Sequence, residues 1–187
     1  MASFAHLHVH TAFSLLDGAS RIKNLVTAVK ELGMDSVAIT DHGVMYGTID
    51  FYKECLKQGV KPIIGCEVYL APGSRKERQE INGVKYYHLI LLAENQTGYR
   101  NLVQLVSLAN IEGMYYKPRV DKELLKKYHE GIICLSACVA GEIPRALIQG
   151  NKAKAESLVQ EYLNIFGKDN FFLEIQNHGL AEERISN

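Results

Sequence analysis

Ser20–Gly43 reads SRIKNLVTAVKELGMDSVAITDHG, and the rest of the chain repeats its pattern. Ser20 stands where it can cap a helix. The apolar residues Ile22, Leu25, Val26, Val29 and Leu32 then recur with a period of about 3.6, and Gly33 stops the run. A short apolar strand, Asp35–Thr40, follows and breaks off into Asp41, His42 and Gly43. A helix, a buried strand and polar groups at the strand's C-terminal end together make the repeating unit of α/β proteins. In their barrels, catalytic groups cluster at that end.

Working outward, the same alternation recurs on both sides. Further strands are predicted at Phe4–Val9, Lys61–Leu70, Tyr86–Leu92, Gly131–Ser136 and Asn170–Ile175. Further helices are predicted at Thr48–Gln58, at Thr97–Ala109 and at Asn151–Phe166, the last with Gly167 behind it. Asn82–Gly83 is a turn signal that would join two strands as a hairpin. The polar stretch Pro72–Asn82 reads as a solvated loop. No linker divides the chain, so residues 1–187 are expected to form one α/β domain with a mostly parallel sheet. Periodicity does not decide whether that sheet is open or closed.

Composition narrows the setting. Hydrophobic residues make up 47% and charged residues 22%, as in an ordinary globular protein. No stretch approaches the roughly 18 consecutive apolar residues of a membrane span. The start, MASFAHLHVHT, lacks the basic and apolar regions of a signal peptide. Cys55, Cys66, Cys134 and Cys138 lack disulfide-framework spacing, which points to the cytoplasm. The net charge is zero, so contact with nucleic acid would have to be local.

Three stretches carry chemistry. In HLHVHT (6–11), strand alternation projects His8 and His10 to one face, a natural start for a metal site. His6 is read more readily as an inner hydrogen-bonded histidine than as a ligand. AITDHGVMYG (38–47) delivers Asp41 and His42 to a strand end, where Asp41 could also serve only backbone amides. In PIIGCEVYL (62–70), Glu67 interrupts an apolar strand. Buried there, it must be paired, protonated or bound to a cation, as a bridging ligand or in a salt bridge to a lysine. His88 in YYHLILLA poses the same question, Cys138 ends another strand, and Asp17 could cap a turn or add an oxygen ligand. Cys134, inside its strand, reads as a small hydrophobe. Tyr115, Tyr116, Lys117 and Arg119 could stack on a base and hold a phosphate, or form an ordinary surface loop.

The order HxH, TDHG, GCE, then a strand histidine resembles the PHP (polymerase and histidinol phosphatase) superfamily. The fuller segments FAHLHVHTAFSLLDG, AITDHGVMYGTIDFY, KPIIGCEVYLAPG, YYHLILLAENQTGYRNLVQLVSLA, GMYYKPRVDKELL and LSACVAGEIPRAL are similar to the PHP domains of bacterial DNA polymerase III alpha subunits. The resemblance implies a distorted seven-stranded (β/α) TIM-like barrel holding up to three divalent metal ions, whether zinc, manganese or iron. It implies His8, His10, Asp17, His42, Glu67, His88 and Cys138 as metal ligands, Asp41 as ligand or support, and Glu67 and Asp41 as the catalytic pair. Tyr116, Lys117 and Arg119 remain as nucleic-acid contacts. The family's last motif, an aspartate and a histidine one residue apart, is not found after FFLEIQNHG. The expectation is therefore a domain short of its last strand and final ligands, with an exposed sheet edge beside 170–175. Two activities follow from the resemblance: a 3′–5′ phosphodiesterase that proofreads, or a structural module. Partners would be DNA, the other domains of the alpha subunit and an exonuclease subunit. A free-standing phosphomonoesterase akin to histidinol phosphatases is the alternative.

Overall fold

A computed structural model describes residues 4–15 and 17–187. In chain order they form α1 (Ile22–Glu31), β1 (Ser36–Ile39), α2 (Thr48–Gln58), β2 (Lys61–Leu70), β3 (Tyr87–Ala93), α3 (Gln96–Glu112), β4 (Met114–Tyr115) and β5 (Lys117–Val120). There follow α4 (Lys122–Lys127), β6 (Ile132–Leu135), α5 (Glu142–Ile148), α6 (Lys152–Phe166), β7 (Phe171–Phe172) and α7 (Ala181–Ser186). No helix among them is long and apolar enough to cross a membrane.

The seven strands make one sheet in the order β4-β5-β2-β3-β6-β7, with β1 also paired to β2. The sheet is mixed. β2 runs parallel to β1 and β5, and β6 runs parallel to β7, but β3 is antiparallel to both β2 and β6. This corrects the expectation of a mostly parallel sheet. The reason is the link from β2 to β3, residues 71–86. It holds no helix to carry the chain back across the sheet, and so the next strand returns antiparallel. Within that link Asn82 and Gly83 both adopt positive φ (52° and 74°), and Ile81 and Val84 exchange two backbone hydrogen bonds. The turn was legible, but it is a tip inside the link rather than the join between two long strands.

Strand alternation gives β2 and β3 two different faces. Cys66, Val68, Leu70, Leu89 and Leu91 pack in the main core with Leu102 and Leu105 of α3 and Leu158 and Tyr162 of α6. Glu67, Tyr69 and His88 take the opposite face, and Tyr69 is in register with His88. A second core joins Val26 and Val29 of α1, Val37 and Ile39 of β1, and Phe51 and Cys55 of α2. Helix starts follow capping chemistry where the right residue is present. Asn95, Asp121 and Asn151 each accept from the backbone N–H three residues on. At α1 the cap position falls to Arg21, without a side-chain bond, while Ser20 bridges Thr11 instead.

Two further expectations need correcting. Residues 4–9 are not a regular strand. They run beside β1 through a bridge from His6 to Val37 and a backbone bond from Thr40 N–H to Val9 O. The stretch 72–82 is not simply solvated either, because it contains buried Arg75, whose guanidinium donates to Asp121 and Glu112. Arg119 completes this knot. It is fully buried and donates to the carbonyls of Gly113, Lys85, Arg75 and Glu77 at 2.8–3.3 Å, tying the β2–β3 link to β5. Its guanidinium is therefore spent inside the fold and does not reach a nucleic acid, which corrects its assignment as a contact.

Replacing Arg119 with Met leaves four carbonyls without that donor, those of Gly113 and Arg75 buried and those of Lys85 and Glu77 partly so, and each buried loss costs on the order of 1 kcal/mol or more. Arg119→Met is expected to destabilise the chain by about 3 kcal/mol, measured as a lower urea midpoint at unchanged slope.

Candidate metal centre

Glu67 is 1% exposed at the middle of the sheet, and four imidazoles converge on it. His8 Nε2, His10 Nε2 and His42 Nδ1 lie 3.4, 3.0 and 2.9 Å from its Oε2, and His88 Nδ1 lies 2.9 Å from its Oε1. They arrive from three segments. Residues 6–10 flank β1, His42 follows β1 and bridges in parallel to Glu67, and His88 begins β3. Cys138 Sγ follows β6 and stands 3.9 Å from Glu67 Oε1 and 3.7 Å from His88 Nδ1. Asp17 Oδ2 is 2.8 Å from His42 Nε2 on the solvent side. All seven expected ligands therefore gather in one place, and the partners of Glu67 are imidazoles rather than a lysine. His6 does not join them. It is exposed, with its ring edge-on to Phe4, so the expected inner histidine is on the surface.

Two sets of donors share Glu67. His8, His10 and Glu67 form one, and His42, Glu67 and His88 form the other, with one ligand atom per residue inside 4.8 Å in each. A carboxylate common to two ligand sets is suited to bridge two cations. The fit is testable at one atom pair. His42 Nδ1 and Glu67 Oε2 lie side by side at 2.9 Å, yet both are buried and neither has a hydrogen-bond partner among the described residues. Two such acceptor atoms side by side suit a shared cation.

The hydrogen bonds behind the histidines set their protonation. Ser14 has one hydroxyl proton, which goes to Asp41 Oδ1 at 3.0 Å. Ser14 Oγ accepts from His42 N–H and lies 3.2 Å from His10 Nδ1. His10 must then donate from Nδ1, which leaves the Nε2 lone pair toward Glu67. His8 Nδ1 lies 2.7 Å from Glu174 Oε1, so it too donates outward and aims Nε2 inward. Asp41 spends both oxygens on Thr11 N–H, Thr11 Oγ1 and Ser14 Oγ, and so anchors the turn after His10. Gly18 closes that turn, since a Cβ there would lie 1.8 Å from Thr11 O.

Electrostatics follow this geometry. Burial pushes the Glu67 carboxyl pKa up, but the surrounding imidazoles of His10, His42, His8 and His88 outweigh it and hold the group far below the usual range. Burial pulls His8 down, and hydrogen bonds to Glu174 and Glu67 more than offset that, raising it to about 9. His42 is raised by the same opposition, with Glu67 and then Asp17 as its carboxylates. Burial and the Glu67 charge push the Cys138 thiol up to about 11. Ala137, just before Cys138, holds a positive φ of 63°, a strained conformation for a residue with a Cβ. Glu174 was missed in the sequence. Its signal in FFLEIQ is the one that flagged Glu67, a carboxylate interrupting an apolar run.

A mixed α/β scaffold whose histidines ring a bridging carboxylate defines the class. The chain belongs to the PHP domain family, whose model matches residues 6–178. It is similar to DNA polymerase III subunit alpha of Treponema pallidum, 57% identical over 97% of this chain and 16% of that protein. The subunits of Borreliella burgdorferi and Thermus aquaticus are 47% and 50% identical over 98% and 97% of the chain, which covers 16% and 15% of their lengths. The chain thus spans about a sixth of the curated relatives it matches. Among solved structures, an amidohydrolase from Chromobacterium violaceum aligns over 54% of this chain and 32% of its own, at 18% identity and a TM-score of 0.39.

Removing the bridge and removing its support should differ in kind. Glu67→Gln is expected to lower bound metal by at least one ion per chain in elemental analysis. Glu174→Gln should keep the stoichiometry but weaken metal affinity by about 10–100-fold in a chelator competition.

Proposed function

We propose that the chain is the PHP domain of a DNA polymerase III alpha subunit, and that its centre hydrolyses phosphate esters in a polynucleotide, removing nucleotides in the 3′–5′ direction. The observation that carries this reading is Glu67, a buried carboxylate shared by two ligand sets. Polymerase relatives at 47–57% identity favour it over a free-standing phosphomonoesterase. Its partners are DNA, the other domains of the subunit and an exonuclease subunit, and its compartment is the cytoplasm, in keeping with four free cysteines.

His8, His10, Glu67, His42 and His88 would hold two divalent ions, with Asp17 and Cys138 completing the set for up to three; zinc, manganese and iron all suit these donors. When bound, such ions supply a hydroxide nucleophile and stabilise the leaving oxygen. The protein's own groups do the rest. Glu67 stays ionised and offsets cation charge. Asp41 acts as a positioning residue, holding Thr11 and Ser14 and through them His10. Asp17, half exposed, lies 2.8 Å from His42 Nε2 and orients that ring from the solvent side.

The same reading takes the sheet as a distorted barrel with a gap. Residues 4–8 and 172–178 line opposite sides of a cavity of about 770 Å³. Among the described residues β7 pairs with β6 alone, and side chains span the gap instead, His8 to Glu174 and Gln176. A further strand carrying an aspartate and a histidine would fit there.

Loaded with manganese or zinc, the chain is expected to release nucleotides slowly from a 3′-labelled single strand and to lose that activity in Glu67→Gln. A labelled strand left intact by the metal-replete chain, or cut equally by the variant, would refute the reading. A longer chain carrying the aspartate–histidine motif should hold more metal, cut faster and self-associate less. Equality in all three would mean that the ligand set is already complete.

A further inference from the structure

One wall of the centre continues outward as aromatic rings and lysines. Tyr69, on the same face of β2 as Glu67, stacks on His42 with ring centres 5.7 Å apart and stands edge-on to His88 at 5.3 Å. Tyr86 stacks on His88 at 6.1 Å and meets Tyr69 edge-on at 4.9 Å. Two cations lie over rings of this wall and its rim. Lys117 Nζ sits 5.5 Å from the Tyr69 ring centre, and among the described residues no carboxylate lies within salt-bridge distance of it. Lys85, next to Tyr86 in the chain, holds its Nζ 4.1 Å above the Tyr116 ring and 3.4 Å from Glu80.

Tyr116 is the unusual member. It forms the tip of the hairpin between β4 and β5, where Tyr115 pairs with Lys117, and its φ is +60°. Glycine or asparagine would suit that backbone, yet the position carries a tyrosine whose ring is 68% exposed. A strained tip needs no aromatic ring to turn the chain. A ring held out beside two lysines is instead the arrangement that binds single strands, where aromatic faces stack on bases and cations follow the backbone.

We infer that Tyr116, Lys117 and Lys85 form the subsite for the nucleotide adjoining the phosphate held at Glu67, with Tyr116 stacking on the base and the two lysines meeting the neighbouring phosphates. This rests on the hydrolytic reading for the position of the scissile phosphate, but strand binding stands or falls separately. The subsite favours a polynucleotide over a small phosphate monoester, because a monoester has no second nucleotide to fill it.

Binding of an eight-nucleotide single strand, followed by fluorescence anisotropy at several salt concentrations, tests it on the metal-loaded chain. Tyr116→Ala should weaken binding about tenfold. Tyr116→Gly relieves the positive φ, so it should weaken binding as much while folding at least as well. Lys117→Gln and Lys85→Gln should each reduce the salt slope by about 0.7, and Lys152→Gln on α6 should leave it unchanged. Parent-level binding in the Tyr116 and Lys117 variants, or no binding by the parent chain, overturns the subsite. Expected binding losses in a chain that does not hydrolyse bis(p-nitrophenyl) phosphate would uphold the subsite and refute the hydrolytic reading.

Discussion

A carboxylate buried at the middle of a sheet is the constraint to which the rest of this fold answers. Leaving Glu67 ionised and unpaired would cost several kcal/mol, and its strand is too deep for water to help. The chain meets that cost by bringing four imidazole nitrogens from three segments to two oxygen atoms. Each approach fixes an element. His88 can reach Oε1 only with β3 in its antiparallel register on β2, and His42 only with β1 parallel on the other strand-end bridge. His8 and His10 draw the first residues against β1, although that segment makes too few ladder bonds to be a strand by itself. Burial opposes each shift, but the closeness of the carboxylates and imidazoles outweighs it, so His8 and His42 are raised while Glu67 is depressed.

Much of this was legible in the sequence. Glu67 stood out because a carboxylate in an apolar strand has few stable states, and the predicted bounds of α2 match the structure, where Gly59 ends the helix in the left-handed cap conformation. What was not legible depended on contacts between distant segments. Nothing local in YYHLILLA tells that β3 runs against its neighbours; that follows from a link without a helix. Arg119 read as a nucleic-acid contact because it stands in a run of aromatic and cationic residues, whereas its carbonyl partners come from residues 75–113, invisible to any local pattern. Glu174 carried the same signal as Glu67, but its partner His8 lies 166 residues away.

The two ligand sets are supported by different physics. His8 and His10 present Nε2 to Glu67, and each is steered from behind by an acceptor at Nδ1: Glu174 directly for the first, Ser14 and through it Asp41 for the second. Such bonds fix both ring angle and tautomer. His42 and His88 present Nδ1 instead, and their planes are set by packing: His42 between the rings of His10 and Tyr69, His88 against Tyr86. Stacking fixes a plane but not a proton, and among the described residues Asp17, from the solvent side, is the one hydrogen-bond partner of His42 Nε2. One half of the centre is thus determined from within the protein, and the other is open to whatever lies above Tyr69 and Tyr86.

That division matches the fold. The hydrogen-bonded half lies where the two ends of the chain meet across a cavity, with side chains rather than a continuous sheet between them. Precise bonds are needed there, because no backbone ladder holds residues 4–8 to residues 172–178. The aromatic half lies over β2 and β3, the best-paired strands of the sheet, where the backbone already sets each position and the side chains are free to form a surface. A centre that held ions firmly and admitted a chain of nucleotides, as proposed above, would need both kinds of wall. The sheet supplies them by placing its secure strands under the open side and spending side-chain hydrogen bonds on the side it leaves unpaired.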